Sequence, residues 1–328
     1  MADDRRLRVS VALCTHNGAV YVEEQVRSIL AQTYRPAEIV LSDDASTDAT
    51  IALVTALVEP SGVALTVFAN SPALGVTKNF EQAVRGCTGD LVALCDQDDV
   101  WHPDRLARMV GLFDERSDLL LASGDAELVD AAGARLEHTL FEALEVDETE
   151  LAAVDRGDAF AALLRRNLVT GATTVLRRDL VDIAGDFPSA WVHDEWLASM
   201  AAAVGRVMIT RERLVDYRQH GANQIGAAKL SLRGKIGRVL EPRGSRNARL
   251  EARAQALVER LQLLGAAVPA AILAGARGKL DHERVRNALP ANRLRRIRPV
   301  LAEARSGGYE LYGRGRADIL RDLVQPAS

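Results

Sequence analysis

The sequence of 328 residues predicts an α/β fold with a doubly wound, mostly parallel sheet and a helical C-terminal appendage. Two observations support this fold class. Short apolar runs of strand length alternate with segments whose apolar residues recur at helical spacing, as in βαβ units. Polar clusters directly follow two of the apolar runs, as expected where buried parallel strands end in a ligand-binding crevice.

The first part of the chain predicts four strands joined by three helices. Residues 9–13 are apolar and end at a polar run, and residues 22–30 follow with apolar positions at helical spacing. Further strands are predicted at 38–41, 65–68 and 91–95, and further helices at 51–58 and 79–84. This alternation favours right-handed crossovers between parallel strands.

The middle of the chain is less regular. It predicts helices at 104–114 and 195–204 and strands at 119–122, 173–176, 207–210 and 214–217. Residues 142–158 are acidic and weakly patterned, which predicts a loop.

The composition is that of an ordinary globular protein, with 48% hydrophobic and 26% charged residues. Cys14 and Cys95 lie in apolar strand-like runs, so we expect buried thiols in a reducing compartment and no disulfide. No apolar leader is visible at the start, and the longest apolar stretch, residues 263–276, contains Pro269 and is too short to span a bilayer. These features predict a cytoplasmic protein.

The net charge of −4 hides two regions of opposite sign. Residues 227–328 carry 21 Lys and Arg against 9 Asp and Glu, whereas residues 1–226 carry 20 against 36. This division predicts a domain at 1–226 and a basic helical region at 227–328. The basic region fits peripheral contact with an anionic membrane surface as well as it fits packing on the acidic domain or a homodimer. Nucleic acid is not expected as a partner, because only 4% of the residues are aromatic and no stacking platform interleaves the charges.

Asp96, Gln97, Asp98 and Asp99 directly follow the predicted strand at 91–95. An acidic surface turn would explain them if they stood alone. Three carboxylates at the end of a buried strand repel one another, however, unless a cation is present. A hard divalent cation, Mg²⁺ or Mn²⁺, is the ion that this cluster predicts, and such ions usually bind substrate phosphates as well.

Asp43 and Asp44 follow the predicted strand at 38–41, so we expect them in the same crevice. Either carboxylate could accept hydrogen bonds from a pyrimidine base or a ribose. The chain has neither a Gly-x-Gly-x-x-Gly turn nor a Walker lysine loop, so a metal ion is expected to hold the phosphates.

Two further polar groups have alternative explanations. Asp194 and Glu195 follow His193 at the start of a predicted helix, where carboxylates serve either as caps that complement the helix dipole or as a general base. His220 follows the last predicted strand, and it is either a surface residue or a neutral imidazole ligand of Mn²⁺ or Mg²⁺.

Taken together, these motifs resemble those of the family 2 inverting glycosyltransferases, which have the GT-A fold. The resemblance covers about residues 8–226 and rests on Thr15-His16-Asn17, the loop 43–48, Asp96-x-Asp98, Gly171-Ala172, His193-Asp194 and Tyr217-Arg218-Gln219-His220. The runs 95–101 and 217–223 look most like bacterial rhamnosyltransferase-type members. The tail is also similar to theirs, with Gly308-Tyr309-x-x-Tyr312-x-x-Gly315 followed by Asp322.

The resemblance implies transfer of a single sugar from dTDP-rhamnose or a UDP-sugar to a hydroxyl of a saccharide or lipid-linked acceptor, in the assembly of bacterial cell-surface polysaccharides or glycoconjugates. It implies a donor site made of Thr15, Asn17, Asp43, Asp44, Lys78 and Asp96. Asp98 and His220 would bind Mn²⁺ or Mg²⁺. Asp194 would be the catalytic base, with Glu195 as the alternative, because His193 replaces the usual Glu of the family.

Two other functions are compatible with parts of the sequence. A nucleotidyltransferase that makes sugar nucleotides would have a similar sheet, but it normally needs a glycine-rich, basic phosphate loop, of which residues 15–18 offer little. A non-catalytic sugar-nucleotide or membrane-adaptor module would not need a base placed apart from the metal ligands.

Overall fold

The computed structural model describes residues 6–220 and 243–326, which form two compact units. The described part of the first unit consists of residues 6–155 and 169–220. That of the second consists of residues 156–168 and 243–326. The predicted boundary between residues 226 and 227 lies outside the described residues. Residues 156–168, which the sequence analysis assigned to the first domain, belong to the second unit because their contacts lie there.

One mixed sheet of nine strands, counted over the described residues, forms the centre of the first unit. The strands are β1 Val9–Thr15, β2 Glu38–Asp43, β3 Ala64–Ala69, β4 Leu91–Cys95, β5 Val100–Trp101, β6 Leu119–Val129, β7 Arg135–Thr139, β8 Val175–Arg177 and β9 Arg206–Arg218. Their order is β3-β2-β1-β4-β8-β6-β9-β5, and β7 pairs with β6. The block β3-β2-β1-β4 is parallel throughout, and β6 and β9 are also parallel.

Helices connect and flank these strands. In the first unit they are α1 Val22–Leu30, α2 Thr50–Val58, α3 Val76–Gly86, α4 Arg105–Glu115, α5 Leu140–Leu144, α6 Glu148–Arg156, α8 Asp179–Ala184 and α9 His193–Val204; the last residue of α6 already belongs to the second unit. Every residue of β1, β2 and β4 is buried, as expected for central strands covered on both faces. The α/β prediction, with a sheet that is parallel around β1, is confirmed.

Two predictions about the middle of the chain are wrong. Residues 142–158 are not a loop, because α6 buries Leu151 and Val154 and gains enough apolar contact to order an acidic helix. The strands predicted at 207–210 and 214–217 are one continuous strand, β9. A register shift between Thr210 and Arg213 accommodates the polar residues that resembled a break.

The second unit is helical, as predicted for the C-terminal region. Its helices are α7 Ala159–Arg165, α10 Arg246–Leu263, α11 Ala270–Asn287, α12 Arg293–Arg305, α13 Gly308–Tyr312 and α14 Arg316–Val324. Among the described residues, no helix combines the length and the apolar character needed to cross a bilayer.

A buried ion pair joins the helices of the second unit. Arg286 and Asp322 meet in a bidentate pair, with Nε–Oδ2 at 2.7 Å and Nη2–Oδ1 at 3.2 Å. The Tyr309 hydroxyl donates to Asp322 Oδ2 at 2.8 Å. A Cβ on Gly308 would lie 1.8 Å from Oε1 of Glu303 and 3.0 Å from Nδ1 of His282, so a larger residue there would displace the Glu303 carboxylate. The tail motif that contains Gly308, Tyr309 and Asp322 therefore contributes to packing within this unit.

Candidate active site

The carboxyl ends of β1, β2 and β4 meet at one edge of the sheet. Thr15 pairs in register with Asp43, and Leu13 pairs with Cys95, so the residues after these strands are neighbours. The loop that begins at Asp96 follows β4 at this edge. The structure thus brings the two predicted acidic clusters to the same side of the sheet.

Asp43 is buried at the end of β2, and its carboxylate binds two loops. Thr15 Oγ1 donates to Asp43 Oδ2 over 2.6 Å. The backbone N–H of Ser46 donates to Oδ1 at 2.8 Å, and the Ser46 hydroxyl donates to Oδ2 at 2.6 Å. The carboxylate therefore holds the end of β1 and the loop after β2 against each other.

Asp44 and Asn17 connect the same loops to further segments. Asp44 accepts hydrogen bonds from the backbone N–H groups of Leu74 and Gly75, just before α3. Asn17 has a left-handed φ of 49°, and its Oδ1 accepts the N–H of Thr47 at 2.9 Å. These side-chain hydrogen bonds therefore connect the loop after β1, the loop after β2 and the segment before α3 on one side of the crevice.

Lys78 lies in the first turn of α3 and is half-exposed. Its Nζ forms an ion pair with Oε2 of Glu81 on the same helix, at 2.6 Å. The structure thus engages Lys78 with its own helix, whereas Thr15, Asn17, Asp43 and Asp44 share one hydrogen-bonded set of loops.

Asp98 and His220 are in direct contact, with Nε2 of His220 lying 2.8 Å from Oδ2 of Asp98. The His220 ring stacks on Tyr21 at a centroid distance of 4.8 Å, which orients the imidazole. The buried Arg218 donates to the backbone carbonyl of Asp98 at 2.8 Å and pairs with Glu24 at 2.6 Å. These contacts fasten the end of β9 to the loop after β4.

Asp96 and Asp99 flank Asp98 and make the cluster rich in negative charge. Burial, followed by the charges of Asp98 and Asp194, raises the pKa of Asp96 to about 7. Burial also raises the pKa of Asp99 well above its usual value, and Asp98 and Asp96 add to the effect. Asp99 Oδ1 accepts the N–H of Arg218, but its buried Oδ2 has no hydrogen-bond partner among the described residues.

This donor set fits a hard divalent cation. Within residues 6–220 and 243–326, no group of three or more His, Cys, Asp or Glu side chains forms a complete metal site. Asp98 and His220 provide two donor atoms at one point, and Mg²⁺ and Mn²⁺ sites are often completed by substrate phosphates and water. A cation there would offset the repulsion among the three carboxylates. The residues present therefore fit Mn²⁺ or Mg²⁺.

Asp194 lies in the first turn of α9, where two backbone groups hold its carboxylate. Its Oδ2 accepts the N–H of Gly171 at 2.9 Å, and its Oδ1 accepts that of Glu195 at 2.7 Å. The charge of Asp194 contributes to the raised pKa of Asp96, so the two carboxylates lie within electrostatic reach of each other. Glu195 is only partly buried. The two backbone groups therefore fix the orientation of the Asp194 carboxylate.

His193 is buried beside Asp194 and packs in an apolar environment. Its ring stacks on Phe80 of α3 at a centroid distance of 3.7 Å and an interplanar angle of 10°. Burial lowers the pKa of His193 to about 3, so the imidazole is neutral at physiological pH. A Cβ on Gly171 would lie 2.9 Å from Nε2 of this ring, so the backbone at residue 171 can approach His193 this closely only as glycine.

Sequence reasoning missed the roles of Gln97, Arg218 and Tyr217. The Gln97 side chain accepts the N–H of His16 at 2.8 Å and donates to its carbonyl at 3.1 Å, which joins the loops after β1 and β4. The pKa of Tyr217 is raised by burial and by the nearby charges of Asp96 and the other site carboxylates. Gln97 lies between Asp96 and Asp98, and Tyr217 and Arg218 precede Gln219 and His220, but spacing alone does not reveal their contacts.

Comparisons with known proteins identify similar sequences. Residues 10–169 match the sequence profile described as glycosyl transferase family 2. An uncharacterized glycosyltransferase of Nostoc sp. is 29% identical over 223 residues, which are 66% of this chain and 66% of the Nostoc protein. The dTDP-rhamnosyl transferase RfbG of Shigella flexneri is 25% identical over 241 residues, which are 69% of this chain and 78% of RfbG.

The fold has a match among solved structures. The mannosyltransferase PcManGT of Pyrobaculum calidifontis, in complex with GDP-Man and Mn²⁺, superposes with a TM-score of 0.53 at 21% identity. The match covers 98% of this chain and 86% of PcManGT. The profile match, the named relatives and the similar structure are all glycosyltransferases. Residues 10–169 therefore resemble glycosyltransferase family 2, and the fold is that of the GT-A glycosyltransferase structures.

Proposed function

We propose that this protein is an inverting glycosyltransferase that moves one sugar from a nucleoside-diphosphate sugar to an acceptor hydroxyl. The observation that supports this proposal best is the meeting of Asp98 with His220 near Asp96, whose pKa also responds to the charge of Asp194. The proposed diphosphate-binding position and the proposed base would thus lie within electrostatic reach of one another, as a direct displacement requires.

The donor is proposed to lie along the carboxyl ends of β1, β2 and β4. Asp98 and His220 would hold Mn²⁺ or Mg²⁺, which supplies positive charge to the departing diphosphate. Asp96 would contact the ribose or the sugar. The loops that Thr15, Asn17, Asp43 and Asp44 hold together would form the base-binding wall, with Lys78 at its end.

Asp194 is proposed to be the general base. Its carboxylate would accept the proton of the acceptor hydroxyl while that oxygen forms a bond to the anomeric carbon. The bond from the anomeric carbon to the diphosphate breaks on the opposite face, and the nucleoside diphosphate leaves with the electron pair. The N–H groups of Gly171 and Glu195 would keep the carboxylate oriented throughout.

The proposed donor is dTDP-rhamnose or a UDP-sugar, and the proposed acceptor is a saccharide or a lipid-linked saccharide of bacterial cell-surface assembly. The likeness to the dTDP-rhamnosyl transferase RfbG supports the first donor. We also propose a cytoplasmic location, with peripheral contact at the inner face of the membrane. Three free, buried cysteines, Cys14, Cys87 and Cys95, support a reducing compartment.

A ligand screen tests the proposal. Thermal unfolding is measured with dTDP-, UDP- and GDP-sugars, each with and without Mn²⁺ or Mg²⁺, because a ligand raises the melting temperature only if it binds the folded protein. We expect one donor class to stabilise the protein, and only with the cation. Asp98→Ala should lose that cation-dependent shift. Stabilisation by a nucleoside triphosphate with release of pyrophosphate would contradict the proposal.

A further inference from the structure

Helix α12, Arg293–Arg305, carries an exposed apolar stripe. Leu294 is 77% exposed, Ile297 is 42% exposed and Leu301 is 41% exposed. Positions separated by three and seven residues share one face of a helix, so the three side chains form a continuous stripe. Single exposed leucines are common on protein surfaces, but an aligned set is typical of an interaction surface.

A different face of α12 packs into its own unit. Val300 and Arg296 are buried, and the Arg296 guanidinium donates to the backbone carbonyls of Pro290 and Gln325 at 2.6 Å each. The Asn292 side chain caps the first turn of the helix. Arg296 and Val300 therefore attach α12 to its unit, and the stripe is left free of this packing.

The exposed charges of α12 itself all have one sign. Arg293, Arg295, Arg298 and Arg305 are all exposed. The acidic residue of α12, Glu303, is half-buried, and its Oε1 lies 2.6 Å from Nδ1 of the buried His282. A cationic helix with an exposed apolar stripe matches a lipid surface, where arginines contact phosphates and aliphatic side chains enter the head-group region.

We propose that α12 is the surface through which this protein binds anionic phospholipid membranes, with Leu294, Ile297 and Leu301 inserted among the lipid head groups. The arginines beside them contact the lipid phosphates. This inference rests on the proposed function in one respect, which is that membrane binding would bring the enzyme to a lipid-linked acceptor. Lipid binding itself requires no sugar transfer, so the two are tested separately.

Flotation of the full chain with vesicles tests this surface. We expect the protein to float with vesicles of phosphatidylglycerol and phosphatidylcholine at low salt. It should remain unbound with phosphatidylcholine alone. Added salt should reduce binding, because the arginine contacts are screened.

Matched variants separate this helix from the general positive charge of the unit. Arg295→Gln with Arg298→Gln should reduce vesicle binding about 25-fold, since each cation near an anionic surface contributes about fivefold. The control is Arg249→Gln with Arg316→Gln, which removes two exposed arginines from α10 and α14. We expect the control to bind within about twofold of the unsubstituted protein.

The apolar stripe has a control of equal exposure. Leu294→Gln should weaken vesicle binding about tenfold, because the variant has no apolar side chain at this position to transfer from water into the lipid. Leu263→Gln changes a leucine that is 78% exposed at the end of α10 and should leave binding unchanged. Hydrolysis of the soluble sugar nucleotide should be the same in all these variants, which keeps this test independent of the proposed function.

Several outcomes would overturn the proposal. One is the absence of flotation with anionic vesicles at low salt. Another is equal binding by the α12 variants and their controls. A third is a dimer in solution that Leu294→Gln dissociates while vesicles bind neither form, which would make this stripe an interface between copies of the chain.

Discussion

Nε2 of His220 lies 2.8 Å from Oδ2 of Asp98, although 122 residues separate them in the chain. Strand β9 brings His220 to the carboxyl end of β4, and Tyr21 supports its ring from the first loop. These two contacts therefore unite three separate segments at the position proposed for the cation.

Removal of His220 should weaken cation binding. His220→Ala is expected to lower the affinity for Mn²⁺ by about 10-fold to 100-fold in the presence of the nucleoside diphosphate. Calorimetric titration of Mn²⁺ measures this change. His138→Ala removes a half-exposed histidine of β7 and serves as the control. Equal Mn²⁺ affinity in the two variants would show that His220 is not a ligand.

Gly171→Ala should misplace the proposed base. The added Cβ would meet the His193 ring at 2.9 Å and lie 3.6 Å from Cβ of Asp194. We expect kcat to fall about 10-fold to 100-fold with little change in the KM of the donor, since small displacements of a base are costly. Steady-state kinetics measure both constants.

Gly111→Ala is the matched control for this substitution. Gly111 lies within α4, and a Cβ there would meet no atom within 4 Å. Alanine favours the helix by about 1 kcal/mol, so this variant should be active and slightly more stable. A Gly171→Ala enzyme with unchanged kcat would contradict the positioning role of this glycine.

The free energy of unfolding should fall as the pH is lowered, and His193 should account for part of this loss. Its pKa is lowered from 6.5 to about 3 in the folded protein, so below pH 6.5 the unfolded chain binds the extra proton. The free energy of unfolding should therefore drop by about 1.4 kcal/mol from this residue between pH 7.5 and 5.5. Urea unfolding of His193→Gln should lack this component. If the free energy of unfolding of the wild type exceeded that of His193→Gln by the same amount at every pH, the lowered pKa of His193 would be contradicted.

The buried ion pair of the second unit should matter more than its surface pairs. Asp322→Ala leaves the buried Arg286 without its bidentate partner, and we expect a loss of about 3–5 kcal/mol in the free energy of unfolding. Tyr309→Phe removes one hydrogen bond to Asp322 and should cost about 1 kcal/mol. Both are measured by urea unfolding.

The surface control for this pair is Asp281→Ala. Asp281 is 74% exposed and pairs with Arg284 at 3.4 Å, so its removal should cost less than about 1 kcal/mol. Losses of similar size for Asp322→Ala and Asp281→Ala would mean that the buried pair does not hold the helices together.

The sequence predicts the parallel part of the sheet well because β1, β2 and β4 are continuous apolar runs. The polar residues that follow them mark the strand ends, and parallel pairing then places Asp43 and Asp96 at one edge. The prediction fails at 142–158, where the burial of only Leu151 and Val154 is enough to order α6. Such sparse apolar spacing cannot be distinguished from a loop before the tertiary contacts are known.

The candidate site is predictable in its residue types but not in its contacts. The sequence identifies Asp43 and Asp44 as ligand-binding candidates, whereas in the structure their carboxylates bind Thr15, Ser46 and the N–H groups before α3. The sequence also cannot reveal that Arg218 fastens β9 to the loop after β4. Long-range pairs of this kind depend on the register of the finished sheet.

The central claim is that Asp194 accepts the proton of the acceptor during sugar transfer. Release of nucleoside diphosphate with donor and acceptor present tests it most directly, with Asp194→Asn and Glu195→Gln compared side by side. We expect Asp194→Asn to lose about 10²-fold to 10⁴-fold in turnover while donor binding, followed by thermal shift, is retained. Glu195→Gln should keep turnover within a few-fold of the unsubstituted enzyme. Wild-type turnover in Asp194→Asn, or its loss in Glu195→Gln alone, would contradict the claim.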